Sequence, residues 1–286
     1  MKNILVLTDF SKNAAHAAEV AVNVAAHLNA NLLLFHSFVV DPALPYTENG
    51  PWLNEVYTLQ TQEAKRKLEG LKEHLAFFIE QVPASYHKPA IKVLAATDSL
   101  GTQVRELGQQ KNLEMIVMGA RSQGAFEHFL FGSETSTVID KSNVPVLIVP
   151  LDADLRHINK IVYASDIDRN DSAAISYLTE FAGAFRAKLE IAHIEPFGED
   201  EHEKTSDESA LVEELVQLKR GDITYQKVRG KDVVQRLERF CTDEKADILA
   251  ILHHTQSFFR RVLQQSNTRE VLHDRQLPVL VLPSGM

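Results

Sequence analysis

The sequence predicts an α/β protein built from two tandem domains, each a five-stranded parallel sheet flanked by helices. Three observations predict it. Short runs rich in Ile, Val and Leu, apolar on both faces, alternate with helical stretches, which is how buried parallel strands read. The chain is written twice: Lys2–Asp9 (KNILVLTD) aligns with Asn159–Asp166 (NKIVYASD), and Val144–Pro150 (VPVLIVP) with Leu277–Pro283 (LPVLVLP). Finally, 286 residues with 44% hydrophobic and 24% charged side chains suit two ordinary globular domains. The domains are expected at residues 1–150 and 151–286, joined by 151–158 (LDADLRHI).

In the first half, strands are expected near 3–8, 31–37, 90–95, 114–119 and 145–150. The first ends on Asp9 and passes through a polar turn into a helix. The second ends near His36. The loop Pro42–Pro51 (PALPYTENGP), with Tyr46 and Trp52 near its ends, either covers a ligand mouth or packs. Leu68, Leu71, Leu75, Phe78 and Val82 then recur at helical spacing, and Pro83 stops that long helix. Leu100, Val104 and Leu107 form a further helical stripe, matched by Val233, Leu237 and Phe240 in the second half.

The second-half strands are expected near 159–164, 188–194, 223–228, 247–252 and 278–283. Asn13, Ala25, Leu32 and His36 recur as Asn170, Ala182, Leu189 and His193. Phe126, Leu130, Ser133, Thr135 and Val138 recur as Phe259, Leu263, Ser266, Thr268 and Val271. The first copy is longer by some two dozen residues between its second and third strands, where the long helix falls. The second-half counterpart, Leu211, Leu215 and Leu218, is shorter and follows an acidic stretch, Glu199–Glu208, that reads as a solvated loop.

Several function classes are set aside. A net charge of −9, from 30 basic and 39 acidic residues, argues against nucleic acid or a membrane surface as partner. No apolar run approaches the roughly 18 residues of a membrane span. The run Ile4–Leu7 is too short for a signal peptide. The single cysteine, Cys241, allows no intrachain disulfide and suits a reducing compartment, so a cytoplasmic location is expected. Beside Phe240 on a helix, Cys241 reads as a buried structural thiol. No Walker A sequence, G-x-G-x-x-G or G-x-S-x-G occurs, and the turn TDFSKN is neither SGGxDS nor followed by HxGH. His253 and His254 are adjacent on a strand, point to opposite faces and cannot easily share a metal. His36 and His193, at equivalent strand ends, read as packing or loop-bonding residues. No catalytic constellation and no metal site is expected.

One segment carries chemistry. The fourth strand runs into Gly119-Ala-Arg-Ser-Gln-Gly-Ala-Phe-Glu-His-Phe-Leu-Phe-Gly-Ser133, and Gly132-Ser133 opens a helix with Val138 and Ile139 as its apolar stripe. A glycine at a strand end lets backbone approach a ligand. A Gly-Ser pair at a helix start offers free N–H groups, a hydroxyl and the positive end of the dipole, which together suit a phosphate. The same residues serve equally as turn glycines and an N-cap serine.

The order ILVLTDFSKNA, LLLFHSF, EMIVMGA, the glycine segment and KSNVPVLIVP resembles the universal stress protein family, once per half, in its tandem two-domain form. The resemblance implies Rossmann-like, adenine nucleotide alpha hydrolase-like domains. Nucleotide-binding members of that family carry G-x2-G-x9-G-[ST] and bind ATP or AMP. Here Gly119, Ser122 in place of the second glycine, nine residues, and Gly132-Ser133 stand in those positions. By resemblance, Thr8 and Asp9 would lie by the nucleoside, Ser37 would offer backbone to the adenine edge, and Met118 and Gly119 would meet the ribose. Ser122, Gly132, Ser133, Glu134 and Thr135 would surround the phosphates, with Arg121 adding a contact and Mg2+ accompanying ATP. Ser122 keeps the amide of a glycine but adds a side chain and restricts positive φ. The charge of Glu134 is unfavourable there unless it points away.

In the second half Leu252, Thr255 and Gln265 replace Gly119, Ser122 and Gly132. No nucleotide is expected there, and Asp166 reads as a turn or cap residue. That half is expected to complete a pseudo-dimer through the fifth strands, Val144–Val149 and Leu277–Leu282, with a homodimer as a further expectation. The implied function is a stress-response signalling module that binds an adenine nucleotide in its first domain without rapid turnover. Two alternatives stand beside it: a nucleotide-free interaction protein acting through its paired domains, and a slow ATP hydrolase, against which the absence of an evident general base counts.

Overall fold

Ile4, Leu5 and Val6 are fully buried one after another, so both faces of the first strand are covered and no polar alternation appears. The same holds for Met115–Met118, Val146–Val149, Ile161–Ala164 and Ile248–Leu252. The computed structural model describes residues 1–39, 52–110, 112–120, 133–167, 171–196, 221–253 and 277–285. Through them run β1 (Lys2–Leu7), α1 (Lys12–Leu28), β2 (Ala30–Phe38), α2 (Trp52–Gln81), β3 (Ile91–Thr97), α3 (Leu100–Gly108), β4 (Leu113–Gly119), α4 (Ser133–Lys141) and β5 (Val146–Val149). Then follow β6 (Lys160–Ala164), α5 (Asp171–Phe185), β7 (Lys188–Pro196), β8 (Ile223–Gly230), α6 (Val233–Asp243), β9 (Ile248–His253) and β10 (Val279–Pro283). The segments 42–51, 121–132, 199–220 and 254–276, which hold several sequence expectations, lie outside the described residues.

The chain divides into two compact units, Met1–Ala120 with Ser133–Val146, and Leu147 onward. In the first unit the strands run parallel in the order β3-β2-β1-β4, with Leu7 level with Phe35 and Val6 with Val117. The chain enters β5 beside β4, where the Ile116 N–H donates to the Pro145 carbonyl at 2.8 Å. In the second unit the order is β10-β9-β6-β7-β8, again parallel. The Leu249 N–H donates to the Pro278 carbonyl at 3.0 Å, the counterpart of the Ile116 bond. Each unit is the doubly wound α/β arrangement expected from the sequence.

Helix α1 is capped by Ser11, whose side chain accepts from the Ala14 N–H, and ends at Asn29 in the left-handed conformation. Its buried face carries Ala14, Ala17, Ala18, Ala21 and Ala25, small residues that bring the helix close to the sheet. Helix α2 packs on β2, β3 and α1. Ala64, Leu68 and Leu75 are buried, whereas Leu71 and Phe78 are half-buried and Phe77 is 64% exposed. Leu68 and Leu75, seven residues apart, lie along the buried line of the helix, and Leu71 and Phe78 flank it. The helix ends at Gln81, one residue short of Val82, because a residue before proline is driven from the helical region. In the joining segment Ala153, Leu155 and Ile158 are buried. Among the described residues no helix is long and apolar enough to cross a membrane.

Candidate nucleotide site

In a doubly wound sheet the ligand crevice opens beyond the carboxyl ends of the strands, where the strand order reverses. In the first unit that point lies between β1 and β4. The registers bring Thr8 level with His36 on one side and with Gly119 on the other. Asp9 and Ser37 lie one step further, and Met118 closes the buried part of β4. Thr8, Asp9, Ser37, Met118 and Gly119 therefore share one end of the sheet.

The turn after β1 is built by short polar bonds. The Thr8 N–H donates to the Phe35 carbonyl at 3.0 Å, and the buried Thr8 Oγ1 accepts from the Phe10 N–H at 3.0 Å. Asp9 Oδ1 accepts from the Ser11 N–H at 2.9 Å, so Asp9 is the turn residue and Ser11 the helix cap. Phe10 takes a left-handed backbone at φ 63°, unusual for a bulky side chain. Its ring lies 4.5 Å from that of His36, whose Nδ1 donates to the Thr8 carbonyl at 2.7 Å. Lys67 of α2 places its ammonium 5.6 Å from the centre of the Phe10 ring and pairs with Glu63 at 2.9 Å. The hydrogen bond and charge of that ammonium hold the Glu63 carboxyl below its ordinary range.

Gly119 has a packing reason of its own. A Cβ there would lie 2.6 Å from the backbone carbon and oxygen of Asn13 and 2.9 Å from the Ala14 nitrogen. The start of α1 thus presses on the end of β4, and Asn13 Nδ2 also donates to the Ala120 carbonyl. Ser133 and Glu134 are exposed on the first turn of α4, Thr135 is buried, and α4 packs along α3. Arg121, Ser122 and Gly132 lie outside the described residues. Asn13, Phe10 and Lys67 were not singled out from sequence as site residues. Only Asn13 left a signal, its recurrence as Asn170.

The second unit repeats the turn and changes its surroundings. The Ser165 N–H donates to the Ala192 carbonyl at 3.0 Å, Ser165 Oγ accepts from the Ile167 N–H at 3.0 Å, and His193 Nδ1 donates to the Ser165 carbonyl at 2.9 Å. Ile167 is left-handed at φ 57°, as Phe10 is. Where the first unit has Val6, Ala14 and Gly119, the second has Tyr163, Asp171 and Leu252. The Tyr163 hydroxyl and the Ser165 hydroxyl, the latter at 2.6 Å, both donate to Asp171, which is 2% exposed. Tyr163 and Leu252 are buried as well. Among the described residues, no group of three His, Cys, Asp or Glu side chains is disposed to hold a metal.

Comparison with known proteins agrees with this duplicated architecture. The model of the Universal stress protein family matches residues 1–150 and again 157–283. A universal stress protein of Mycolicibacterium smegmatis is 22% identical over 98% of this chain and 96% of its own length. One from Methanocaldococcus jannaschii is 28% identical over 52% of this chain and 81% of its own. Among solved structures, a universal stress protein from Archaeoglobus fulgidus superposes with a TM-score of 0.71 at 14% identity, covering 99% of this chain and 98% of that one.

Proposed function

We propose that this chain, which belongs to the universal stress protein family and carries its domain twice, binds an adenine nucleotide, ATP or AMP, in its first unit and acts as a signalling module. The observation that carries the reading is the gathering of Thr8, Asp9, Ser37 and Gly119 at the reversal of strand order. It occurs in the one half whose sequence keeps Gly119 and Gly132-Ser133. In this reading Asp9 and the Ser37 backbone meet the nucleoside and Met118 and Gly119 the ribose. The first turn of α4, from Ser133, offers its N–H groups to phosphate. Arg121, Ser122, Gly132, Glu134 and Thr135 belong to the phosphate side by the family motif, and Mg2+ would accompany ATP. The second unit has Leu252 for Gly119 and a buried carboxylate at Asp171, and is nucleotide-free in this reading.

The test is a calorimetric titration of nucleotide-stripped protein with ATP and magnesium. One saturable site per chain is expected, lost in Gly132→Arg while the protein stays folded. Retained affinity in that variant refutes the phosphate assignment. A second reading, a nucleotide-free interaction protein, is favoured by one observation: Asn13 and Ala14 demand Gly119 even without a ligand. No heat up to millimolar ATP, with an unchanged melting temperature, selects that reading.

A further inference from the structure

Phe10 holds a conformation that L side chains adopt at a cost, and it directly follows Asp9 in the turn. The second copy keeps the same left-handed position with Ile167, so the turn itself is common to both units. What differs is what bears on it. Only the first copy has a ring there, and that ring meets His36 from β2 and the Lys67 ammonium from α2. Lys67 lies on the long helix between the second and third strands, whose second-half counterpart is shorter.

The position of Lys67 is set by packing. Its chain neighbour Leu68 is fully buried, and Ala64, one turn earlier, is buried too. Further along α2, His74 Nε2 meets Glu19 Oε1 of α1 at 2.7 Å, so the helix is tied to the element that begins at the turn. The ion pair with Glu63 leaves the ammonium over the ring. A cation held over an aromatic face is attracted to it, and the attraction resists rotation of the ring away. Asp9 lies between Thr8, which accepts from the Phe10 N–H, and Ser11, whose N–H donates to Asp9, so hydrogen bonds link Asp9 and Phe10 within one turn.

We propose that Lys67 is a positioning residue for the nucleotide: its cation–π contact with Phe10 holds the strained turn, and with it Asp9, in the binding arrangement. This rests on the nucleotide reading above. The test compares Lys67→Met and Lys67→Arg with the wild type in the full chain. It measures MgATP affinity by calorimetry and the backbone amide resonances of Asp9 and Phe10 by NMR without nucleotide. Lys67→Met is expected to bind about two- to five-fold more weakly, as fits a half-exposed cation–π contact, and to shift both amides. Lys67→Arg should restore both properties. Weakened binding with unmoved amides overturns the inference, since Lys67 then acts on the ligand directly. Unchanged affinity with unmoved amides overturns it as well, and so does failure of arginine to restore them. If the wild type binds no nucleotide, the functional reading falls, while the amide shifts still decide whether Lys67 holds the turn.

Discussion

At position 119 an added Cβ would sit 2.6 Å from the backbone of Asn13, and backbone cannot rotate aside as a side chain can. Gly119→Ala should therefore cost about 1–3 kcal/mol, the range for forcing atoms into a packed site, read as a lowered urea midpoint. An unchanged midpoint would mean that α1 yields more easily than its packing implies. The two copies of the turn offer a sharper comparison. Thr8 Oγ1 accepts one backbone bond, whereas Ser165 Oγ accepts the equivalent bond and also donates to buried Asp171. Thr8→Val should cost about 1 kcal/mol, an ordinary net hydrogen bond, and Ser165→Ala about 2–3 kcal/mol because it strips a donor from a buried carboxylate. Equal costs from denaturant unfolding would show that Asp171 finds another donor. Asp9 was legible as a turn residue from its place after an apolar strand. The left-handed Phe10 was not, because nothing in an Asp-Phe-Ser sequence demands positive φ of a phenylalanine.

Helices and strands carry their own consequences. On α6, Leu237, Phe240 and Cys241 face inward, and burial, with the nearby Glu238 charge, pushes the Cys241 thiol up to about 12. Thiolate is the reactive form, so a thiol reagent at pH 8 should leave Cys241 untouched in the folded chain and modify it fully in denaturant. Rapid labelling under native conditions would show that α6 opens readily. At the start of β6, Lys160 Nζ donates to Glu190 at 3.1 Å and to Glu244, and Gln226 also donates to Glu190. Lys160→Met leaves the nearly buried Glu190 uncompensated and should cost about 3 kcal/mol at neutral pH. The pH dependence has a definite sign. The Lys160 ammonium holds the Glu244 carboxyl below its ordinary value of 4.5. A carboxyl whose pKa is lower folded than unfolded contributes stability above the unfolded value and loses it as pH falls through the folded one. The difference between wild type and Lys160→Met should therefore be full at neutral pH and shrink below about pH 4. A difference constant down to pH 2 would remove Glu244 from the account. The edge strand β8 carries Gln226, Lys227 and Arg229, and Glu195 of β7 pairs with the latter two. Such charges discourage pairing with another chain's edge.

In both units the duplication reaches individual hydrogen bonds, yet the two copies have diverged at the carboxyl ends of their central strands. In the first unit the small residues Gly119 and Ala14 let the start of α1 press against the end of β4, beside Val6. Leu252, Asp171 and Tyr163 fill the same positions in the second with an apolar side chain and a satisfied buried carboxylate. If the first unit binds nucleotide, adding ATP with magnesium should slow amide hydrogen exchange around 7–11, 35–38 and 117–120. Exchange around 163–167, 192–194 and 250–253 should stay unchanged. Protection in the second set would overturn the assignment of the nucleotide to the first unit.

Fold class, duplication and strand positions to within about two residues were legible from local patterning, because buried parallel strands must be apolar on both faces. The sequence also showed, through Leu252 and Gln265, that the second half lacks the glycine motif. Why Gly119 is glycine, which helix face is buried and what meets Phe10 emerge only in the folded chain. Gly119 answers to Asn13, Phe10 to Lys67, and Ser165 to Asp171. The first two partners are far apart in the chain and are brought together by the fold, and Asp171, though near Ser165, is also met by the Tyr163 hydroxyl of β6. A periodicity or a spacing records what a residue is, whereas these roles depend on which atoms the fold sets within a few ångströms of it.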